Sequence, residues 1–267
     1  MPVADLGDLK LHFTEHGEAG RKPVLGIMGF GLDQRFWAAQ IPAVTQTHRF
    51  ITFDNRGVGR SSEGTVSSID EMADDAVRLL DQLGIDETVL LGVSMGGAIA
   101  QRLVLDHPER VSALILAATW ARPIEFMRRQ TQVARRVVEL QGAEGLIDAS
   151  LLFMFTPRFF EVGQEAIDRM VDAFFAEAGP EPASQEVLYG QLDAIVKHDT
   201  LAELTKVSVP TLVIGATMDL MVPGFASEEI ARAIPGAELV MLESGHGAMM
   251  EDMEAFNAAV ARFLAKL

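Results

Sequence analysis

Gly92-Val93-Ser94-Met95-Gly96-Gly97 holds a serine between two glycines at the spacing G-x-S-x-G. An apolar run, Thr88-Val89-Leu90-Leu91, precedes it, and a helical pattern from Ala98 to Leu105 follows. A serine at such a strand-to-helix corner is forced onto a sharp turn, and its hydroxyl stands exposed as a nucleophile. Glycines are needed beside it because a side chain there would strike the adjoining strand or helix. The helix that begins here directs N–H groups and a positive dipole end toward any oxyanion forming above the serine. Without the strand and the helix, these residues would describe only a glycine-rich turn.

A serine hydroxyl is a weak nucleophile at neutral pH and needs a base within hydrogen-bond reach. The chain has six histidines. His12 and His16 fall in an N-terminal hairpin, His48 before a strand, His107 at the close of a helix and His198 at the end of a helical region. His246, in Ser244-Gly245-His246-Gly247, lies between the last apolar run and the last helical pattern. A loop at the carboxyl end of a strand is where open α/β sheets build their sites, so His246 is the expected base. The acid that orients such a base is expected at Asp219, after the run Thr211 to Ala216. Thr119-Trp120-Ala121, the other strand end where an acid would fit, contains none. Two N–H donors are then required where negative charge develops. Met95 supplies one, and the loop Met28-Gly29-Phe30-Gly31 supplies the other through Phe30.

These residues need a scaffold, and the chain reads as one. Leu9–His16 alternates as a hairpin strand. Val24–Met28, Phe50–Asn55, Thr88–Val93, Ala113–Thr119, Thr211–Ala216 and Glu238–Leu242 are short apolar runs suited to buried parallel strands. Ile69–Leu83 reads as a helix with Asp70 and Glu71 in its first turn and a stop at Gly84. Glu251–Leu267 reads as a single terminal helix with Phe256, Val260, Phe263, Leu264 and Leu267 on one face. The βαβα rhythm predicts an α/β sheet with helices on both faces. From 121 to 198 the rhythm stops. Several helices are expected there, broken near Gly142, Pro157 and Gly179-Pro180. They carry Phe126, Met127, Phe153, Met154, Phe155, Phe159, Phe160, Met170, Phe174 and Phe175. The expected division is a core of residues 1–120 and 199–267, with 121–198 inserted as a helical lid. Gly29, Trp120, Phe126, Phe153, Met154 and Val222 are expected to line the substrate pocket. Most other lid aromatics should pack helix on helix, and Trp37 is a candidate for the core.

Composition narrows the functions. With 267 residues, 49% of them hydrophobic, the chain supports one sizeable core. A formal net charge of −16 argues against a nucleic-acid partner or an anionic membrane surface. The absence of cysteine removes disulfides, thiolate metal sites and cysteine nucleophiles. The N-terminus lacks the basic start and apolar stretch of a signal peptide, and no apolar run is long enough to span a bilayer. A cytoplasmic protein is expected, with a small-molecule substrate, no cofactor and no metal, as a monomer or homodimer.

The chain resembles the α/β-hydrolase superfamily, in particular its small lidded bacterial carboxylesterases and 3-oxoadipate enol-lactonases. Met28-Gly29-Phe30-Gly31, Phe53-Asp54-Asn55-Arg56-Gly57-Val58-Gly59-Arg60-Ser61, Gly92 to Gly97, the Asp219 segment and Gly245-His246 carry the likeness. The order Ser94, Asp219, His246 is that of the superfamily. The resemblance implies an α/β-hydrolase fold and a serine esterase or lactonase, and gives the Asp54-to-Ser61 loop a structural role. Three positions depart from the pattern: Met28 replaces a frequent histidine, Ala216 a frequent glycine and Met253 a frequent proline. The expected activity is cleavage of a small, largely apolar ester or lactone. Two alternatives remain at this point: a carbon–carbon hydrolase of ring-cleavage diketones, or a ligand receptor or regulatory partner that keeps the fold. Arg122, Arg128, Arg129, Arg135 and Arg136 are expected on a solvated helix face, with pairing of one of them to a substrate carboxylate as the alternative. A dehalogenase would need a carboxylate at position 94.

Overall fold

A computed structural model describes residues 2–62, 64–174 and 183–267. Among them run the strands β1 (Val3–Asp5), β2 (Lys10–His16), β3 (Pro23–Ile27), β4 (Arg49–Phe53), β5 (Thr88–Val93), β6 (Val111–Ala117), β7 (Thr211–Ala216) and β8 (Glu238–Leu242). The helices are α1 (Ile41–Val44), α2 (Ile69–Gln82), α3 (Met95–Asp106), α4 (Glu125–Met154), α5 (Pro157–Phe174), α6 (Gln185–Lys197), α7 (Phe225–Ala233), α8 (Ala248–Glu251) and α9 (Met253–Leu264). The strands join in one sheet ordered β1-β2-β4-β3-β5-β6-β7-β8. The pairs β1–β2 and β2–β4 are antiparallel, and every later pair is parallel.

Parallel strands bury both faces, and the side chains divide accordingly. Leu25, Ile27, Leu90, Leu114 and Leu116 pack with α2, α3 and α7 on one face. Val24, Val89, Leu91, Ala113 and Ile115 pack with Phe256, Val260 and Phe263 of α9 on the other. The α2 helix starts where Ser68 accepts the Glu71 N–H at 3.1 Å, an N-cap worth about 1 kcal/mol.

Register brings the chemistry together. Ile27 pairs with Gly92, Ala117 with Ile214, and Ala216 with Leu242. The loops after β3, β5, β6, β7 and β8 therefore emerge side by side at one edge of the sheet. Helices α4, α5 and α6 stand between β6 and β7 in the chain. The N–H groups of Thr200 and Leu201 both donate to the carbonyl of Ala121, at 2.7 and 2.9 Å, so this helical insertion leaves and rejoins the sheet at one point.

One element is unanticipated and one expectation needs correction. The hairpin partner β1 has three residues, too few to show a period. The terminal helix runs Met253–Leu264, not from Glu251, because Asp252 leaves helical geometry (φ −125°, ψ 55°), and the short helix α8 precedes it. In the insertion, the break at Gly142 is a kink inside α4 (φ 70°, ψ −165°), and Pro157 opens α5. Phe175 and Gly179-Pro180 lie outside the described residues. Trp37 is buried, edge-on to Phe50 at 5.5 Å, and belongs to the core.

Candidate active site

Ser94 stands between β5 and α3 with φ 56° and ψ −122°. For a residue with a Cβ this conformation costs about 1–3 kcal/mol and persists only where the surroundings fix it. Here they do. The Ser94 N–H extends the sheet ladder to Ala117 O at 2.9 Å. Its carbonyl accepts the Gly97 N–H at 2.9 Å and the Thr119 hydroxyl at 2.8 Å. Space is equally determined: a Cβ on Gly96 would lie 2.0 Å from Ile27 O, and one on Gly92 would lie 2.4 Å from Gly96 O. The glycines are thus set by the close approach of β3, β5 and α3, and the Ser94 hydroxyl is the side chain left projecting at the sheet edge.

His246 Nε2 lies 3.0 Å from Ser94 Oγ, and His246 Nδ1 lies 2.7 Å from Asp219 Oδ2. The other oxygen of Asp219 accepts the N–H groups of Met221 and Val222 at 2.8 and 2.7 Å. Asp219 and His246 are both buried. The carboxylate is fixed on one oxygen by backbone donors and spends the other on the imidazole, so Nδ1 carries a proton and Nε2 faces the serine as an acceptor. Ala216, where the resemblance expects a glycine, is the buried last residue of β7, and the Asp219 turn begins beyond it.

The remaining histidines sit elsewhere. His12 lies 3.1 Å from Asp54 in a buried cluster with Gln34. His16 meets Thr52, His48 meets Thr47, and His107 faces Asp74 and Glu109 at the surface. His198 is buried beneath Trp120 beside Gln101 and Thr200, and burial pushes its pKa down to about 4.

Phe30 follows β3 beside the serine. The Met28 carbonyl before it accepts from Asn55 Nδ2 at 3.0 Å, and the Gly31 N–H after it donates to Gln191 Oε1 at 2.9 Å. A Cβ on Gly29 would lie 3.1 Å from Ser94 Cβ, so a side chain there would crowd the serine. Two apolar lobes open from Ser94 and share Phe30, Leu146, Ser150 and Met221. The smaller, about 100 Å³, includes Gly29, Met28, Phe36, Met154, Met249 and His246. The larger, about 310 Å³, includes Trp120, Val222, Phe126, Phe153, Val137 and Ile195. Each expected pocket residue lines one lobe or the other, Phe126 and Phe153 at the exposed rim.

A family model described as alpha/beta hydrolase fold matches residues 22–253. The chain belongs to the α/β-hydrolase family. This α/β-hydrolase is 33% identical to a protein of Azorhizobium caulinodans named carbamate hydrolase RutD, across 100% of this chain and 99% of that one. Its fold matches the crystal structure of an enol-lactonase from Burkholderia xenovorans with a TM-score of 0.89 at 29% identity, over 99% and 100% of the two chains. It matches a thermophilic esterase from Thermogutta terrifontis with a TM-score of 0.85 at 28% identity, over 97% and 94%.

In this α/β-hydrolase the Asp54-to-Ser61 loop is braced internally. Asp54 accepts the N–H groups of Gln34 and Arg60, and Arg56 bridges Asp75 and Glu71. Arg122 pairs with Glu229, Arg128 with Glu125 and Arg135 with Asp193, while Arg129 donates to Gln132 at the surface. Among the described residues no group of three or more His, Cys, Asp or Glu could hold a metal ion, and no helix is long and apolar enough to cross a membrane.

Several site residues were not anticipated. Glu251 accepts the N–H groups of Gly245 and Thr156 at 3.1 Å each, and also the Thr156 hydroxyl. The Gly247 N–H donates to Met154 O at 2.8 Å. The insertion therefore grips the His246 loop through the α4–α5 elbow and the Phe30 loop through Gln191. Neither Glu251 nor Gln191 carries a sequence signal, because both act through contacts between distant parts of the chain.

Proposed function

We propose that this α/β-hydrolase is a serine hydrolase that cleaves a small, largely apolar carboxylic ester or lactone through an acyl-enzyme on Ser94. The observation that carries the reading is the hydrogen-bonded chain Ser94–His246–Asp219 at the junction of two apolar lobes. Residues 121–198 are its cap and supply much of both lobes.

Ser94 Oγ attacks the carbonyl carbon, and its proton passes to His246 Nε2. The carbonyl π pair moves to oxygen, where the Phe30 and Met95 N–H groups receive it. Asp219 stabilises the imidazolium. The tetrahedral species collapses, the bond to the leaving oxygen breaks, and His246 returns its proton to that oxygen. Water then repeats the sequence on the acyl-enzyme and releases the acid.

The lobes assign the two halves of the substrate. A leaving group must lie within reach of the His246 proton, and His246 lines the smaller lobe. The leaving alcohol therefore occupies about 100 Å³ and the acyl group about 310 Å³. Walls of Met, Leu, Val and Phe favour apolar groups on both sides. The relatives named enol-lactonase, esterase and carbamate hydrolase support a carbonyl substrate attacked by the same machinery.

A panel of methyl esters of increasing acyl length, aliphatic lactones, simple carbamates and a vinylogous diketone, with Ser94→Ala as the blank, tests the reading. Turnover of esters or lactones that disappears in Ser94→Ala is expected. Turnover of the diketone alone would replace the reading with carbon–carbon hydrolysis.

A further inference from the structure

The Phe30 loop is held from two sides. On the core side, Asn55 Nδ2 donates to Met28 O at 3.0 Å. On the cap side, Gln191 Oε1 accepts the Gly31 N–H at 2.9 Å. Gln191 is completely buried, and its Nε2 has no partner among the described residues. Leaving a buried amide N–H₂ unpaired is costly, so the position is not explained by stability alone. The carbonyl half is the half in use.

Helix α6 carries Gln191 to this point under tight constraint. A Cβ on Gly190 would lie 2.4 Å from Val66 O, and one on Gly31 would lie 3.3 Å from Leu188 Cδ2. The same helix forms walls of both lobes, through Leu188 in the smaller and Leu192 and Ile195 in the larger. One helix face thus lines both lobes and, through Gln191, holds the peptide adjoining Phe30. Because successive peptides share one Cα, fixing the Phe30–Gly31 peptide restricts the Phe30 torsions and hence the direction of the Phe30 N–H.

We infer that Gln191 is a positioning residue: from the cap it fixes the Gly31 amide and so aims the Phe30 N–H at the developing oxyanion. The inference rests on the serine-hydrolase reading. It makes the cap part of the oxyanion site as well as a cover, and filling the lobes against α6 holds the donor in place.

The test is an aryl trifluoromethyl ketone measured beside the matching methyl ketone. Ser94 Oγ adds to the activated carbonyl, its proton goes to His246, and the carbonyl pair becomes an oxyanion, so affinity for this ketone reports the donors directly. The methyl ketone reports ground-state binding. Removing an oxyanion donor outright costs on the order of 10²–10³ in rate, so misaiming one is expected to weaken the trifluoromethyl ketone by about tenfold or more. Gln191→Leu should show that loss while methyl ketone affinity and KM change by less than about threefold, with kcat falling in parallel. Gln191→Glu should restore wild-type affinity, because a buried carboxyl stays protonated and still offers a carbonyl to Gly31. Gln191→Asn keeps an amide but withdraws it from Gly31; it should behave like the leucine variant, and it decides alone if that variant does not fold. Wild-type affinity for the trifluoromethyl ketone in Gln191→Asn, or an equal loss in Gln191→Glu, would overturn the inference. If wild type and Ser94→Ala bind the two ketones alike, the serine-hydrolase reading itself fails.

Discussion

Asp219→Asn is a small change in shape with a large expected effect. The carboxylate has two jobs at two oxygens: Oδ1 accepts the Met221 and Val222 N–H groups, and Oδ2 accepts from His246 Nδ1. An asparagine has one acceptor and one donor end. If its oxygen stays with the two backbone donors, its N–H₂ faces His246 Nδ1. The imidazole must then accept at Nδ1 and carry its proton on Nε2, where it cannot take one from Ser94. If the amide turns over, the Met221 and Val222 N–H groups face an N–H₂, at about 1–3 kcal/mol for each orphaned donor. The backbone pair makes the first arrangement the stable one. A triad locked in the wrong tautomer elsewhere loses about 10⁴ in kcat, and the same mechanism here gives ~5.4 kcal/mol of barrier. The assay is kcat for a chromogenic aryl ester at neutral pH, with a thermal melt to show that the fold survives. KM should change little, because Asp219 lies behind His246 and does not line either lobe. A loss of less than about tenfold in a folded variant would refute the tautomer argument.

Other consequences are as direct. Val137→Trp should fill the larger lobe and cut kcat/KM for long acyl chains by at least about tenfold, or ~1.4 kcal/mol, leaving acetate esters within about twofold; equal losses across the series would reverse the lobe assignment. Gly96→Ala should yield little folded protein, because the new Cβ would lie 2.0 Å from the Ile27 carbonyl and backbone must move; a normal melting temperature would contradict that packing. His198 titrates near 4 when folded and near 6.5 when unfolded, so the unfolded chain binds the extra proton. Its contribution is fully present above pH 6.5 and is lost as pH falls toward 4, by up to ~3 kcal/mol. The melting temperature of wild type should therefore fall relative to that of His198→Gln as pH drops through that window, and parallel curves would count against it.

The reach of the sequence follows from the range of the interactions. Ser94, Asp219 and His246 were legible because each lies at the carboxyl end of a strand recognisable from its own apolar run. The register Ile27–Gly92 then carried the Phe30 loop to the serine. The helical kink at Gly142 was equally local, since a residue with φ 70° favours glycine. Gln191 and Glu251 were not legible: their partners lie 160 and 95 positions away, and neither sits in a spacing that a local pattern would flag. Strand β1 has three residues, too few to show alternation. The break at Asp252 escaped because α8 has four residues, too few to show a helical period. Among the arginines that open the insertion, Arg122, Arg128 and Arg135 each have a carboxylate partner, and those of Arg122 and Arg135 lie too far along the chain for a local pattern to show.

Intact-protein mass spectrometry of a rapidly quenched reaction addresses the central claim most directly. With an activated aryl ester in excess, a fraction of the protein should gain the mass of the acyl group, and proteolysis should place that mass on the peptide containing Ser94. Ser94→Ala should show neither the adduct nor turnover. Sustained ester hydrolysis by Ser94→Ala, or an acyl group carried on another residue, would contradict the account.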